Sequence, residues 1–169
     1  MKIIINFFVL LFVISCTQVD VKHEKQKGIR LYKNDSIQES ISSLTKIINI
    51  TDTCSECFLY RGFAYKDLNQ YNKAMKDFNS YIKVNPKDEI GYANRASIYY
   101  LQKNYPKALI DFQKALELNP KFTIMYNTIS HMLFITGKKD EACNYYQKAL
   151  LVGDTVFNSS IIKYCNNRK

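Results

Sequence analysis

The 169-residue sequence contains no tryptophan, only two histidines and only three prolines. It has none of the short motifs that mark serine hydrolases, zinc proteases, phosphate-binding loops or dinucleotide-binding folds. No stretch of useful length alternates apolar and polar residues in the way that a half-buried strand does. These absences predict an all-α protein that is not an enzyme. They leave no candidate catalytic residue, metal ligand or cofactor site.

Tyrosine and phenylalanine supply the large apolar side chains that tryptophan does not. There are 13 tyrosines and 10 phenylalanines, enough to build the buried faces of helix pairs. Between residues 72 and 84 apolar side chains recur every three or four positions, which is the pattern of an amphipathic helix. Pro86 and Pro120 each follow an asparagine and predict the end of a helical unit. Thr53 with Glu56 predicts a capping box at the start of another helix.

The first 15 residues predict a signal peptide, because a positively charged start precedes an apolar run over residues 3–14. Such a run is too short to span a bilayer, which needs about 20 residues. The run ends in Val-Ile-Ser-Cys, which resembles a bacterial lipobox. That resemblance implies that Cys16 is acylated, for example with palmitate, and that residues 16–21 form a lipidated tether. An ordinary secretory signal followed by a chance cysteine is the alternative.

The residues after the lipid site bear on location and charge. Thr17, and not aspartate, follows Cys16, and no acidic run comes after it. By resemblance to lipoprotein sorting, this implies the outer membrane of the bacterial cell envelope, with the chain facing the periplasm.

The charge of residues 34–154 is nearly balanced, with 15 basic against 13 acidic residues, although the net charge of the whole sequence is +9. The basic residues that follow the tether face either solvent or anionic headgroups: Lys22, Lys25, Lys27, Arg30 and Lys33. No nucleic-acid partner is expected.

A motif returns in this chain after 34 residues. The segment that begins at Arg61 recurs at Arg95, and the two copies end at Pro86 and Pro120. Aromatic and small residues recur between those points at the same offsets, Tyr65, Ala74 and Phe78 in the first copy and Tyr99, Ala108 and Phe112 in the second. A third copy keeps Ala142 and Tyr146 but lacks the closing proline. A period of this size is typical of a repeat built from two helices.

These residues resemble the tetratricopeptide repeat family. The resemblance implies a right-handed helical-repeat solenoid of antiparallel helix pairs, with repeats over residues 55–88, 89–122 and 123–154. Residues 22–54 match the pattern more weakly and are interpreted as a degenerate first repeat. Residues 155–169 are interpreted as a capping helix and tail.

The resemblance also implies a binding surface, because in this family the first helix of each repeat lines a concave groove. Aromatic rings there provide contact area, and amides can bond to the backbone of an extended peptide. The aromatic members of this set could instead be packing residues of the solenoid. The residues expected in the groove are Tyr60, Phe63, Asn94, Ser97, Tyr100, Asn127, His131 and Phe134.

Four cysteines remain besides Cys16, and an exported location permits disulfides. Because each repeat of a solenoid contacts only its neighbours, the resemblance permits Cys54 with Cys57 and Cys143 with Cys165. The same geometry argues against a four-cysteine zinc site. Cys54 and Cys57 also form a C-x-x-C at a helix start, where a redox dithiol or two half-buried thiols are the alternatives to a disulfide.

The function expected from these features is that of an adaptor. It would be a membrane-tethered protein–protein interaction scaffold of the bacterial envelope, with a peptide or protein segment as partner in the groove. A structural envelope protein that uses its convex face is the first alternative. A periplasmic thiol redox protein that uses Cys54 and Cys57 is the second.

Overall fold

The computed structural model describes residues 20–153 and 159–167. Within these ranges all regular secondary structure is helical, which confirms the all-α helical-repeat prediction. The described part of α1 covers residues 20–33. It is followed by α2 (Ile37–Ile48), α3 (Ser55–Asp67), α4 (Tyr71–Val84), α5 (Glu89–Leu101), α6 (Tyr105–Leu118), α7 (Ile124–Ile135), α8 (Lys139–Leu151) and α9 (Ser159–Asn166).

The chain divides into two compact units, Met1–Val84 and Asn85–Lys169. In unit 1, α2 packs against α3, and α3 forms a hairpin with α4. In unit 2, α5 pairs with α6 and α7 pairs with α8, while α9 packs on α8 and α7. The described part of the predicted capping segment is therefore a helix that covers the last hairpin.

In two hairpins, α1–α2 and α3–α4, a glycine on the first helix faces a large side chain on the second. A Cβ atom added at Gly62 would lie only 2.7 Å from Cε1 of Phe78, and one added at Gly28 only 2.7 Å from Cδ2 of Leu44. The second helices contribute small residues of their own: Ala74, Ala108 and Ala142 are each fully buried. The helices of a pair thus approach too closely for larger side chains at these positions.

The turns inside the hairpins repeat at the same 34-residue spacing. Asp35, Asn69, Lys103 and Gly137 all have positive φ angles, between 56° and 84°. Each turn also has a backbone hydrogen bond that closes the end of the first helix, as from Gln70 N to Tyr65 O at 2.8 Å. The α1–α2 hairpin has the same turn as the other three, although its sequence matches the repeat weakly. The assignment of residues 22–54 as a degenerate repeat stays a prediction, which this shared turn supports.

Two hairpins contain a buried bidentate ion pair that also follows the period. In α3–α4, Arg61 donates to the Asp77 carboxylate over 2.7 and 2.9 Å and also to Thr45 Oγ1 over 3.0 Å. In α5–α6, Arg95 donates to the Asp111 carboxylate over 2.7 and 2.8 Å. The hydrogen bond to Asp111 raises the pKa of the Arg95 guanidinium above its ordinary value. Burial raises the pKa of Asp77, and Arg61 opposes this by favouring the ionised carboxylate.

The capping box predicted from Thr53 and Glu56 is wrong. The residue that caps α3 is Cys54, and no side-chain hydrogen bond closes that helix start. The Thr53 hydroxyl lies 2.8 Å from that of Thr51, and the Glu56 carboxylate forms an ion pair with Lys25 on α1. Glu56 therefore pairs with a residue of another helix instead of capping its own helix.

Several predictions concern residues that lie outside the described ranges. These are the signal peptide over residues 1–15, the acylated Cys16, most of the tether, and residues 155–158 and 168–169 of the expected cap and tail. None of the helices in the described ranges combines the length and the apolar character needed to cross a bilayer.

Candidate functional site

The first helices of unit 2, α5 and α7, meet through two of the residues expected to bind a peptide. The Tyr100 hydroxyl lies 3.3 Å from His131 Nδ1, and both residues are half-buried. The contact joins neighbouring repeats and fixes the two rings against each other. Their remaining exposed surface therefore belongs to one continuous face, which we call the first-helix face of unit 2.

The polar residues of α5 on this face are already partly engaged within their own helix. The Asn94 amide donates to Ile90 O over 2.8 Å, and the Ser97 hydroxyl donates to Ala93 O over 2.9 Å. An asparagine amide has a second N–H and a carbonyl oxygen, and a hydroxyl keeps its acceptor lone pairs. Both side chains are thus oriented by the helix and have further bonding capacity for a ligand backbone.

Asn127 is half-buried on α7, but it does not take the place in the repeat that Asn94 takes. One period after Asn94 the chain has Thr128, and Asn127 corresponds to the buried Ala93. The Thr128 hydroxyl donates to Ile124 O over 2.9 Å. A row of equivalent amides along the first helices is therefore not present in the described structure.

Phe134 is shared with the capping helix. Its ring packs edge-on against Tyr164 of α9, with 5.8 Å between the centroids. The Lys139 ammonium lies 5.5 Å from the Phe134 centroid and 5.3 Å from that of Tyr164. Cation–π contacts of this kind, together with the ring pair, give Phe134 a role in holding α9. Phe134 therefore packs against α9 in addition to its expected place in the groove.

In unit 1, Tyr60 and Phe63 belong to an aromatic cluster with Tyr32 of α1. The three ring centroids lie 5.8 to 6.0 Å from one another. Ammonium groups lie over the cluster, with Lys33 6.0 Å from Tyr60 and Lys66 5.4 Å from Phe63. Tyr32 is not among the residues predicted for the groove, although it stands two periods before Tyr100 and this spacing is a signal that could have identified it.

Tyr32 is fixed by a hydrogen bond from its hydroxyl to Asp67 Oδ2 over 2.8 Å. Burial, and then this carboxylate, raises the pKa of the Tyr32 hydroxyl above its ordinary value. The hydroxyl is therefore protonated over the physiological pH range. It joins α1 to α3 in the way that Tyr100 and His131 join α5 to α7.

The structure joins Cys54 to Cys57 and Cys143 to Cys165, the pairs permitted by the resemblance. Cys57 is fully buried in a cluster with Leu44 and Ile47, on which Tyr60 also packs. The second bond ties α9 to α8 across a Cα–Cα distance of 5.4 Å. No group of three or more His, Cys, Asp or Glu side chains in the described part of the chain is placed to hold a metal ion.

These hairpins define the chain as an all-α helical-repeat protein. Sequence models described as tetratricopeptide repeat match residues 58–88, 90–122 and 124–152, which together are more than half of the chain. The chain belongs to the tetratricopeptide repeat family. A comparison with curated protein sequences finds no match.

Solved structures with the same fold include MamA and the first repeat domain of RPAP3. A MamA crystal structure superposes with a TM-score of 0.77 at 22% identity, covering 83% of this chain and 82% of that one. MamA from Desulfovibrio magneticus gives 0.74 at 18% identity, covering 80% and 78%. The first tetratricopeptide domain of RPAP3, solved with an HSP90 peptide, gives 0.66 at 21% identity, covering 70% and 94%. At these identities the likeness establishes the fold alone.

Proposed function

We propose that the chain is an adaptor of the bacterial cell envelope, tethered to the membrane by a lipid on Cys16, that binds a peptide or protein segment on its first-helix faces. The observation that carries the proposal is the contact between Tyr100 and His131. It fixes aromatic and polar side chains of two repeats on one face, beside the oriented amide of Asn94. Preorganised side chains of this kind lose less conformational entropy when a ligand binds.

The composition of this face suits an extended peptide. Rings give contact area, while the second N–H and the carbonyl oxygen of an amide can pair with a peptide backbone. The RPAP3 domain supports this use of the fold, because that protein was solved with a peptide bound. In unit 1 the Tyr32, Tyr60 and Phe63 cluster provides a second patch of exposed ring surface, flanked by Lys33 and Lys66.

The test of the binding face is capture of a partner in the envelope. A photo-crosslinking side chain at position 100 should form a covalent adduct with a protein partner, whereas one at the exposed position 76 on the second helix α4 should not. The double change Asn94→Ala with Ser97→Ala should then weaken capture about tenfold, because buried polar groups of the partner lose their hydrogen bonds at about 1 kcal/mol or more each.

A matched control changes two exposed residues of the second helix α4, Asn72→Ala with Lys76→Ala. It should leave capture unchanged, and both double variants should keep their helical content and Tm. If the control abolishes capture while the Asn94 and Ser97 variant binds normally, the binding face is not on the first helices.

The tether is tested separately by mass analysis of the mature N-terminus. Processing at the Val-Ile-Ser-Cys sequence should yield a chain that begins at an acylated Cys16. Cys16→Ser should release the protein from the membrane fraction or leave the signal uncleaved. A native chain that begins at another residue and has no lipid would refute the tether while leaving the binding face open to its own test.

A further inference from the structure

A second candidate binding site lies in unit 2, on the side of the second helices. It is a cleft of about 480 Å³ between α6, the start of α7 and α8. Its lining includes Leu116 and Glu117 from α6, Pro120, Tyr126 from α7, and Tyr145 and Lys148 from α8. We call it the outer cleft. None of these residues belongs to the first-helix face.

The walls of the outer cleft are fixed by hydrogen bonds and ring contacts. Gln113 Nε2 donates to the Tyr145 hydroxyl over 2.9 Å, and the Tyr126 hydroxyl donates to Pro120 O over 3.2 Å. The two rings lie 6.4 Å apart, and the Lys148 ammonium lies 5.1 Å from the Tyr145 centroid. The site is therefore built from side chains with set orientations, as binding clefts usually are.

The outer cleft depends on a residue at which the third repeat departs from the other two. Tyr145 stands one period after Asp111 and two periods after Asp77, and both of those carboxylates are buried in ion pairs. Tyr145 instead directs its hydroxyl to α6 and its ring to the cleft. The tyrosine gives this one hairpin an aromatic surface on its outer side.

Two exposed aliphatic side chains lie one helical turn from lining residues of the outer cleft. Ile110 is 65% exposed and lies one helical turn before Gln113 on α6. Leu151 is 87% exposed and lies one turn after Lys148 on α8. In the described residues of unit 1, by comparison, the one large apolar side chain of this kind is Ile50. Apolar patches beside a cleft indicate a contact surface for a protein partner.

The charge at the rim of the outer cleft is positive. The Glu117 carboxylate is neutralised by Lys114, whose ammonium lies 2.9 Å from it. Lys148 then adds a positive charge over Tyr145, and Lys121 adds another beside Pro120. A partner that carries carboxylates next to its apolar side chains would be attracted and correctly oriented by this arrangement.

We propose that the outer cleft is a second docking site, which takes an acidic peptide segment with a bulky apolar side chain. The apolar side chain packs against the rings of Tyr126 and Tyr145, and a carboxylate of the segment pairs with Lys148. Flanking apolar residues of the segment contact Ile110 and Leu151. The site is separate from the first-helix face, so the protein could bind two segments at once.

The test uses three fluorescein-labelled ten-residue peptides and the full chain kept in a mild detergent. The first peptide has an adjacent leucine and phenylalanine flanked by aspartates. The second has lysines in place of the aspartates, and the third has alanines in place of the two apolar residues. Fluorescence anisotropy should show the first peptide binding at least tenfold more tightly than either of the others, and more weakly at high salt.

Lys148→Glu should weaken binding of the first peptide at least tenfold. Lys138→Glu, an exposed lysine at the other end of α8, should change it less than twofold. Tyr145→Ala should also abolish binding, but Lys148→Glu decides the question because Lys148 is exposed and its replacement leaves the packing intact. The proposal is overturned if none of the peptides binds at about 1 mM, if the acidic and basic peptides bind equally, or if the two lysine variants behave alike.

Discussion

Two hairpins of unit 2 follow the same 34-residue period but are held together by different contacts. In α5–α6 the bidentate pair of Arg95 and Asp111 joins the helices. At the same two places α7–α8 has Ile129, which is fully buried, and Tyr145, which bonds to α6 instead of to its own partner helix. The period therefore specifies which positions face each other, while the chemistry at those positions changes from repeat to repeat.

The last hairpin, α7–α8, lacks this ion pair and is held together by contacts of other kinds. The Ser130 hydroxyl donates to Ala142 O over 2.9 Å across the hairpin, and both residues are fully buried. A disulfide from Cys143 to Cys165 and the packing of Phe134 on Tyr164 then secure α9. A terminal repeat has no following repeat to cover it, so it relies on a capping helix that the other hairpins do not need.

Removing one partner of the ion pair should give the largest loss of stability. Asp111→Ala leaves the Arg95 guanidinium largely buried without its carboxylate, and should lower the free energy of unfolding by about 3 kcal/mol. Arg95 is 23% exposed, which places the expected loss at the low end for a buried pair. Urea or thermal unfolding monitored by circular dichroism measures it.

The control places the residues of α7–α8 at the equivalent positions of α5–α6. The double variant Arg95→Ile with Asp111→Tyr removes both charges, so it should recover part of the stability lost in Asp111→Ala. If the double variant is less stable than Asp111→Ala, the side chains of α7–α8 cannot replace those of α5–α6. The shared period would then not make the two hairpins equivalent at these positions.

The second effect should be confined to α9. Cys165→Ser removes the cross-link between α8 and α9, so the opening free energy of Ser159–Asn166 should fall by about 2 to 3 kcal/mol. Hydrogen exchange of the backbone amides should speed up in α9 and stay unchanged in α5–α6. Equal acceleration in both places would mean that α9 supports the whole unit and is more than a local cap.

The third effect tests the close approach of the helices in both hairpins. Ala108→Leu and Ala142→Leu place a large side chain at fully buried equivalent positions, and each should cost about 2 kcal/mol by overpacking. Lys107→Leu, one residue away on the exposed side, should change stability by less than about 0.5 kcal/mol. A large loss in Lys107→Leu alone would show that the register of α6 is wrong.

Helix pairing could be predicted from the sequence because it depends on a pattern spread over many residues. Gly62 and Ala108 fall on the small positions of a regular motif, and the structure places both where two helices touch. The positive φ at Asn69 and Lys103 belongs to turns of fixed length within that motif. Errors at single residues do not disturb a signal of this kind.

Individual side chains were predicted less well, because each has several partners within reach. Glu56 was expected to cap its own helix, but it pairs with Lys25, which is 31 residues earlier. The residues predicted for the groove include Asn127 beside Asn94, although Thr128 is the residue one period after Asn94. Tyr32 was missed because the first hairpin matches the motif weakly, and its role depends on Asp67 of the next helix pair.

The smallest expected effect concerns a hydrogen bond that the last hairpin has and α5–α6 lacks. Ser130→Ala removes the donor to Ala142 O, and should lower the free energy of unfolding by about 1 kcal/mol. Ser40 makes the mirrored bond in unit 1, where its hydroxyl donates to Gly28 O over 2.8 Å, so Ser40→Ala should lose a similar amount.

The equivalent residues of α5–α6 are both alanine. Ala96→Ser should therefore be tolerated within about 0.5 kcal/mol if its hydroxyl reaches Ala108 O, since a buried hydroxyl without a partner would cost about 1 to 3 kcal/mol. Unfolding of the three variants side by side measures this. A loss above 1 kcal/mol in Ala96→Ser, with none in Ser130→Ala, would show that the Ser130 bond contributes nothing to stability and that a hydroxyl at position 96 finds no partner.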